Sequence, residues 1–161
     1  MAKNRKLDTY RKNTGLILLV FFMYSCGMPG IIVLKDPLAP EEHIALGRSY
    51  ENSGESGPAL EQYETAAKKL PVAYIFIGNL HFQKGEYGLA EAAYNKAIKK
   101  TGDARAYNNL AWLYYVTDRQ MEKAGELAEK AVSLSPDSKD FQDTLDKIRL
   151  KRAGGLSQGI Q

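Results

Sequence analysis

Residues that could carry chemistry are sparse in this sequence. It has two histidines, His43 and His81, and each lies inside a segment with helical periodicity. Neither has neighbours at metal-ligand spacing, and the chain has no glycine-rich phosphate loop and no nucleophile-elbow serine. The carboxylates Glu41, Glu42 and Glu51 suit solvent-exposed helix faces better than a paired acid and base. The sequence therefore predicts a non-catalytic protein with no metal, cofactor or small-molecule substrate, in which His81 is a packed core residue and His43 a surface or interface residue.

The single cysteine is placed where it could be modified. Cys26 follows a basic N-terminal stretch and an apolar run, residues 15–23, which has the length of a signal-peptide core. This arrangement resembles the bacterial lipoprotein signal, in which the cysteine is lipidated and becomes the first residue of the mature protein. The resemblance implies a signal peptide over residues 1–25, lipidation at Cys26 and a linker over residues 26–39.

An uncleaved membrane anchor over residues 14–34 is the alternative. This stretch carries no charge, and about 20 apolar residues suffice to span a bilayer. Gly27, Pro29 and Gly30 lie in its second half, where they weaken a helix. Both interpretations keep the basic flank in the cytoplasm and place the rest of the chain on the periplasmic or extracytoplasmic side. We therefore expect a membrane-anchored protein of the bacterial cell envelope, with inner and outer membrane left open.

The rest of the chain is organised by a recurring pattern of small and large residues. A small residue precedes an aromatic residue or a histidine by three positions in three places: Gly47 and Tyr50, Gly78 and His81, Ala111 and Tyr114. Each pair is followed by a second set at helical spacing: Ala59, Tyr63 and Ala66; Ala90, Tyr94 and Ala97; Ala124, Ala128 and Ala131. Residues three and four apart share one face of a helix, so each set forms a stripe that a neighbouring helix can approach closely. Recurrence at a nearly constant interval predicts a stacked array of helix pairs.

The three units resemble tetratricopeptide repeats. The first carries the family's leucine, glycine and tyrosine, then the alanines and aromatic residue of the second helix and a closing proline: Leu46, Gly47, Tyr50, Ala59, Tyr63, Ala66 and Pro71. The resemblance implies an all-α solenoid of three stacked helix-turn-helix repeats, at about residues 40–70, 71–102 and 103–136. Residues 138–151 have one apolar face, which indicates a C-terminal capping helix. The predicted domain covers residues 40–152, and residues 153–161 are expected to be a disordered tail.

Helix boundaries follow from the repeats and from the glycine- and proline-marked turns between them. The predicted helices run at about 41–53, 58–70, 72–84, 87–100, 104–116, 121–134 and 138–151.

The resemblance also implies a binding surface, because the first helix of each tetratricopeptide repeat lines a concave groove. We expect the lining residues to include Ile44, Arg48, Asn52, Ile75, Asn79, Phe82, Arg105, Asn108, Trp112 and Tyr115, with Glu51 and Gln83 beside them. The alternative is that the capping helix or a neighbouring repeat simply buries Phe82 and Trp112.

One class of ligand is disfavoured by the residue types. Tetratricopeptide domains that bind a C-terminal carboxylate use lysine, arginine and asparagine at set groove positions. The counterparts here are Ile44, Arg48, Phe76, Arg105 and Asn109, of which Arg105 and Asn109 are suitable and Arg48 is a possible addition. The sequence therefore favours an apolar or aromatic protein segment with one acidic contact to Arg48 or Arg105.

Charge does not favour a nucleic-acid partner. The net charge of +3 comes from residues 1–13, which hold five basic residues against Asp8, so the remaining chain is slightly acidic. We expect a non-catalytic, membrane-tethered scaffold that binds a protein or peptide partner. Two alternatives stay open: a structural assembly lipoprotein of an envelope or secretion complex, and an accessory subunit of an envelope enzyme.

Overall fold

A computed structural model describes residues 37–158, and these residues form seven helices without a strand. The helices are α1 (Pro40–Asn52), α2 (Ser56–Ala67), α3 (Ala73–Gln83), α4 (Tyr87–Thr101), α5 (Ala104–Val116), α6 (Met121–Leu134) and α7 (Lys139–Gln158). The predicted all-α fold is confirmed. The predicted signal segment, with Cys26, lies outside the described residues. Within residues 37–158 no helix is long and apolar enough to cross a membrane.

The helices pack as consecutive antiparallel pairs. The most extensive contacts join α1 to α2, α3 to α4, and α5 to α6, and each pair then contacts the next one along the chain. Weaker contacts join α3 to α5 and α5 to α7. One layer therefore contains the first helices α1, α3 and α5, followed by α7, and the second layer contains α2, α4 and α6.

The small-and-large stripes form the core between the layers. Gly47 lies so close to the Tyr63 ring that an added Cβ would sit 2.5 Å from Tyr63 Cε1, and at Gly78 the same distance to Tyr94 Cε1 would be 2.4 Å. Only glycine leaves room for these rings. The alanines of the predicted stripes in the second helices are fully buried, which confirms the packing faces that the spacing predicts: Ala59, Ala66, Ala90, Ala97, Ala124, Ala128 and Ala131.

The turn inside each repeat is built on one backbone hydrogen bond. The residue after the left-handed position donates its N–H to the carbonyl of the packing-stripe residue five positions back, which closes a Schellman-type helix end. The three bonds are Glu55 to Tyr50 at 2.8 Å, Glu86 to His81 at 2.9 Å, and Arg119 to Tyr114 at 2.9 Å. The left-handed residue is Gly54 or Gly85 in the first two turns and Asp118 in the third.

The last helix covers the end of the array. Leu145 and Ile148 of α7 are buried in the same core cluster as Leu110 and Tyr114 of α5. This helix continues to Gln158, whereas the sequence predicted an end at 151 and a disordered tail from 153. The two glycines in this stretch each disfavour a helix by about 1 kcal/mol relative to alanine, and the backbone hydrogen bonds that propagation adds offset this cost. The other helix ends differ from the predicted ones by less than one turn.

Candidate partner-binding groove

The first cleft lies across α1, α3 and the start of α5. It has a volume of about 410 Å³ and is lined by Arg48, Glu51, Asn52, Phe76, Asn79 and Arg105. The Phe76 ring stacks on the buried Tyr63 ring with centroids 5.4 Å apart, which fixes the aromatic wall of this cleft.

Some charged side chains of the first cleft have hydrogen-bond or ion-pair partners within the described part of the protein, and one does not. Asp103, the N-cap of α5, binds Arg105 through both carboxylate oxygens, at 3.0 Å to Nε and 2.6 Å to a terminal nitrogen. This bond lowers the pKa of Asp103 and keeps the pair charged. Glu51 accepts hydrogen bonds from Tyr63 Oη at 2.6 Å and from Gln83 Nε2 at 2.8 Å. Arg48 is exposed and has no ion-pair partner among residues 37–158. It is the cation of this cleft that is free to bind a partner.

The second cleft continues from the first across α3 and α5. Its volume is about 400 Å³, and it is lined by Asn79, Phe82, Gln83, Tyr94, Asn109 and Trp112. Asn79 belongs to both clefts, so we use "the groove" for the surface formed by the first and second clefts together.

A pair of asparagines forms the polar floor of the groove. Asn79 Oδ1 accepts hydrogen bonds from Tyr94 Oη at 2.9 Å and from Asn109 Nδ2 at 2.8 Å. Burial raises the pKa of the Tyr94 phenol, so this group remains a donor. Neither Asn79 Nδ2 nor Asn109 Oδ1 bonds to another residue in the described range. The floor therefore presents one free amide donor and one free amide acceptor, which are the groups that an extended peptide backbone needs.

A third cleft lies between α5 and the capping helix, and we name it the cap pocket. It has a volume of about 320 Å³ and is lined by Asn108, Asn109, Trp112, Asp140, Asp143, Thr144 and Lys147. The Trp112 ring stacks on Tyr115 with centroids 5.0 Å apart. Lys147 Nζ lies 5.3 Å from the Trp112 ring centre, and Lys151 Nζ lies 5.0 Å from that of Tyr115. The capping helix thus covers Tyr115 and part of Trp112, and leaves the remainder of the indole at the junction of the groove and the cap pocket.

The predicted groove residues divide into three sets. Two adjoining clefts bring together Arg48, Asn52, Asn79, Phe82, Arg105 and Trp112. Asn108 lines the cap pocket instead. Ile44 is half-buried against the core cluster around Tyr63, and Tyr115 lies under Lys151.

Ile75 is a correction, because it does not line the groove. It is 3% exposed and packs against Ala97 and Ala106, between the second and third repeats. The adjacent residue Phe76 faces the first cleft in its place. Helix α3 buries residues on more than one face, among them Ala73, Ile77 and Leu80, so its apolar pattern does not indicate which face is open.

Phe76, Tyr94 and Asn109 also line the groove. Phe76 and Asn109 were predicted only as counterparts of carboxylate-binding positions, and Tyr94 was not predicted at all. Phe76 and Asn109 each lie two positions before the small residue of their stripe, a position that the resemblance associates with carboxylate binding. That shared offset was the signal available in the sequence. Tyr94 comes from a second helix, and its hydroxyl reaches the groove only because Gly78 lets the ring pass.

The two histidines stabilise the fold. His43 is 6% exposed, and its Nδ1 lies 2.7 Å from Gln62 Oε1 of α2, so it is an interhelix residue rather than a surface one. His81 Nδ1 lies 2.6 Å from Glu86 Oε2 across the turn between α3 and α4. Among residues 37–158, no cluster of three or more histidine, cysteine, aspartate or glutamate side chains is arranged to hold a metal ion.

A family model described as "Tetratricopeptide repeat" matches residues 44–104 and 77–139, which together span more than half of the chain. The chain belongs to the tetratricopeptide repeat family. Repeats of this family are protein-interaction modules, and this chain contains such repeats. A comparison with curated proteins returns no match.

Solved structures share the fold of this tetratricopeptide repeat protein. The first such domain of Spaghetti (RPAP3), bound to the HSP90 peptide SRMEEVD, is 19% identical with a TM-score of 0.64, over 75% of this chain and 98% of that one. The TPR2B domain of yeast Sti1, in a complex with pHsp70, is 20% identical with a TM-score of 0.61, over 70% and 97%. MamA from Desulfovibrio magneticus RS-1 is 26% identical with a TM-score of 0.59, over 71% of this chain and 66% of that one.

Proposed function

We propose that this protein is a non-catalytic scaffold that binds an extended segment of a partner protein in the groove. The observation that carries the proposal is the asparagine floor, with its free Asn79 Nδ2 and free Asn109 Oδ1. Two peptide groups of an extended segment can bond there without competing with the contacts that hold the asparagines in place. Main-chain bonds of this kind supply affinity that does not depend on the partner's sequence.

The side chains of the partner segment are selected by the walls of the groove. Phe76, Phe82 and Trp112 are partly exposed around the asparagine floor, so apolar or aromatic side chains can bury surface against them. Arg48 adds one charge at the α1 end and favours an acidic residue there. A similar domain of RPAP3 is described as bound to an HSP90 peptide, and one of Sti1 as a complex with pHsp70, which supports a peptide as the kind of ligand.

An internal segment suits this groove better than a free C-terminus. Arg105 is already bound bidentately by Asp103, and Asn109 donates to Asn79. Of the positions that bind a terminal carboxylate in relatives, Arg48 alone offers an unpaired cation here. One exposed arginine is a weak clamp for a carboxylate.

The tether is the second part of the proposal, and it rests on sequence alone. Cys26 follows the apolar run of residues 15–23 and is the one cysteine of the chain, which supports lipidation at a bacterial envelope membrane. An uncleaved anchor over residues 14–34 leaves the scaffold on the same side. Intact-mass measurement of the membrane-extracted protein separates the two. Lipidation predicts loss of residues 1–25 and added acyl mass, whereas an unlipidated mass that includes these residues supports the anchor.

A matched pair of apolar truncations tests binding in the groove. Phe82 lines the second cleft, whereas Leu89 of α4 is 55% exposed and lines neither cleft of the groove. Phe82→Ala should reduce capture of the partner from solubilised membranes by about tenfold or more, as truncation of an interface anchor does. Leu89→Ala should leave capture unchanged. Melting curves of both variants control for stability, and equal capture by two folded variants contradicts binding in the groove.

A further inference from the structure

We propose that the cap pocket binds a basic side chain, preferably arginine, from the same protein segment that occupies the groove. This inference rests on the proposed function and extends it to the chemistry of the partner. Trp112 and Asn109 line both the second cleft and the cap pocket. A segment that leaves the groove past Trp112 therefore places its next side chains at the mouth of the cap pocket.

The cap pocket has more hydrogen-bond acceptors than its own donors satisfy. The Asp140 carboxylate has no ion-pair partner in the described part of the chain. Asn108 Oδ1 is buried and accepts no hydrogen bond from the described residues. A buried acceptor without a donor is unfavourable, so an N–H group that reaches Asn108 Oδ1 gains more than it would from an acceptor at a solvated surface.

One cation of the chain already occupies the kind of position that the proposal requires. Lys147 Nζ lies 2.6 Å from Asp143 Oδ2 and 5.3 Å from the centre of the Trp112 ring. The pocket therefore combines a carboxylate with an indole face around a positive charge, which is an arrangement that attracts cations. In the proposal, Lys147 occupies the position that the partner's basic group takes when it binds.

Lys147 can be displaced, because its ion pair is a solvent-exposed one. The side chains of Lys147 and Asp143 are 44% and 63% exposed and lie four residues apart on α7. Exposed pairs of this kind are weak. A cation that binds the carboxylates of Asp140 and Asp143 together can replace an intramolecular lysine whose one carboxylate partner in the described chain is Asp143.

Arginine suits the pocket better than lysine. A guanidinium is planar, so it can stack on the indole while its five N–H groups reach two carboxylates. A lysine ammonium supplies a point charge and repeats the Lys147 contact. A glutamate would meet two aspartates and is excluded. Together with Arg48 at the opposite end, the pocket predicts a segment with its acidic residue toward α1 and its basic residue toward α7.

The test uses short peptides and the full chain in a non-ionic detergent. Trp112 is the chain's one tryptophan, so its fluorescence reports on the junction of groove and pocket. N-acetyl-glycyl-arginyl-glycinamide should bind about tenfold more tightly than the glutaminyl peptide, and the glutamyl peptide should not bind measurably. An arginyl peptide that binds no better than the glutaminyl one overturns the proposal.

Variants on α7 give effects of opposite sign. Asp140→Asn combined with Asp143→Asn should weaken binding of the arginyl peptide by about tenfold. Lys147→Gln should strengthen it about threefold, because the internal competitor is gone. The matched control is Arg149→Gln, which removes the same charge from α7 at a residue that pairs with Glu129 outside the pocket. A folded Lys147→Gln variant that binds the peptide no better than Arg149→Gln contradicts the competition.

The outcome can be separated from that of the groove proposal. If partner capture depends on Phe82 but not on Asp140 and Asp143, the groove proposal stands and the cap-pocket proposal fails. If the arginyl peptide binds with the predicted pattern while Phe82→Ala leaves partner capture unchanged, the cation site is supported and binding in the groove is contradicted.

Discussion

The first two repeats and the third fill the space between their two helices with side chains of different size. In the first two, a glycine of the first helix faces a tyrosine of the second, and no room for a Cβ remains at Gly47 or Gly78. In the third repeat both partners are alanines, Ala111 and Ala128, and both are fully buried. The cluster that holds these two alanines also contains Leu145 and Ile148 of α7. The third repeat therefore depends on the capping helix for side-chain volume that the earlier repeats supply themselves.

The turns inside the repeats also differ between the first two repeats and the third. The first two turns have three residues between helices and a glycine in the left-handed conformation, at Gly54 and Gly85. The third has four residues, and it places the non-glycine residues Asp118 and Gln120 at φ values of 53° and 47°. Such conformations are unfavourable for residues with a Cβ. Lys151 of α7 pairs with Asp118 at 2.9 Å, so the capping helix also contacts the turn that departs from the pattern.

The largest expected effect comes from replacing the glycine–tyrosine pair of the second repeat, Gly78 and Tyr94, by the two alanines that the third repeat has at these positions. Tyr94→Ala should lower the free energy of unfolding by about 3–5 kcal/mol, because it removes a buried aromatic ring. Gly78→Ala alone should cost about 1–3 kcal/mol, because its methyl meets that ring. In the Tyr94→Ala background the same methyl has space, so Gly78→Ala should be neutral there. Urea unfolding followed by circular dichroism measures this cycle.

Gly88→Ala is the control for the glycine substitution. No atom lies within 4 Å of the position that its Cβ would take, so the change should be neutral or slightly stabilising. If Gly78→Ala costs the same with or without the tyrosine ring, the small-and-large contact does not set the helix approach.

A truncation in the capping helix tests whether the third repeat depends on it. Ile148→Ala should cost about 2–5 kcal/mol, because Ile148 is fully buried. The loss should appear first at the C-terminal end, as red-shifted and more readily quenched Trp112 fluorescence before the main helical transition. Coincident transitions would show that the third repeat unfolds only with the first two and has no separate dependence on α7.

Predictability from sequence also differs between the parts of the molecule. The packing faces and helix positions could be predicted, because small and large residues alternate at helical spacing and that spacing reports local geometry directly. The open face of α3 could not, since Ile75 and Phe76 are both apolar and only packing against Ala106 of the next repeat decides which is buried. Whether the capping helix covers Trp112 stayed open at the level of sequence, because the partial cover comes from Lys147, a flexible side chain on a helix distant in sequence.

The smallest expected effect lies in the turns. Gly85→Ala should cost about 1 kcal/mol, since an alanine is unfavourable at a φ of +73° even though no neighbouring atom obstructs its methyl. Asp118→Gly should stabilise the protein by less than that amount, because relief of the left-handed strain at this position is offset in part by the lost ion pair with Lys151. Melting temperatures measure both changes. A substantial loss of stability in Asp118→Gly would mean that the third turn is held by its side chain and not by its backbone.

Photo-crosslinking tests most directly the central claim that the groove is the binding face. A benzophenone amino acid at Gln83, which is exposed and lines the second cleft, should crosslink to the partner in membranes. The same group at Leu89, which is exposed on α4 and lines neither cleft, should give no adduct of that mass. Adducts from position 89 with none from position 83 would place the partner on the other face of the repeats and contradict the account.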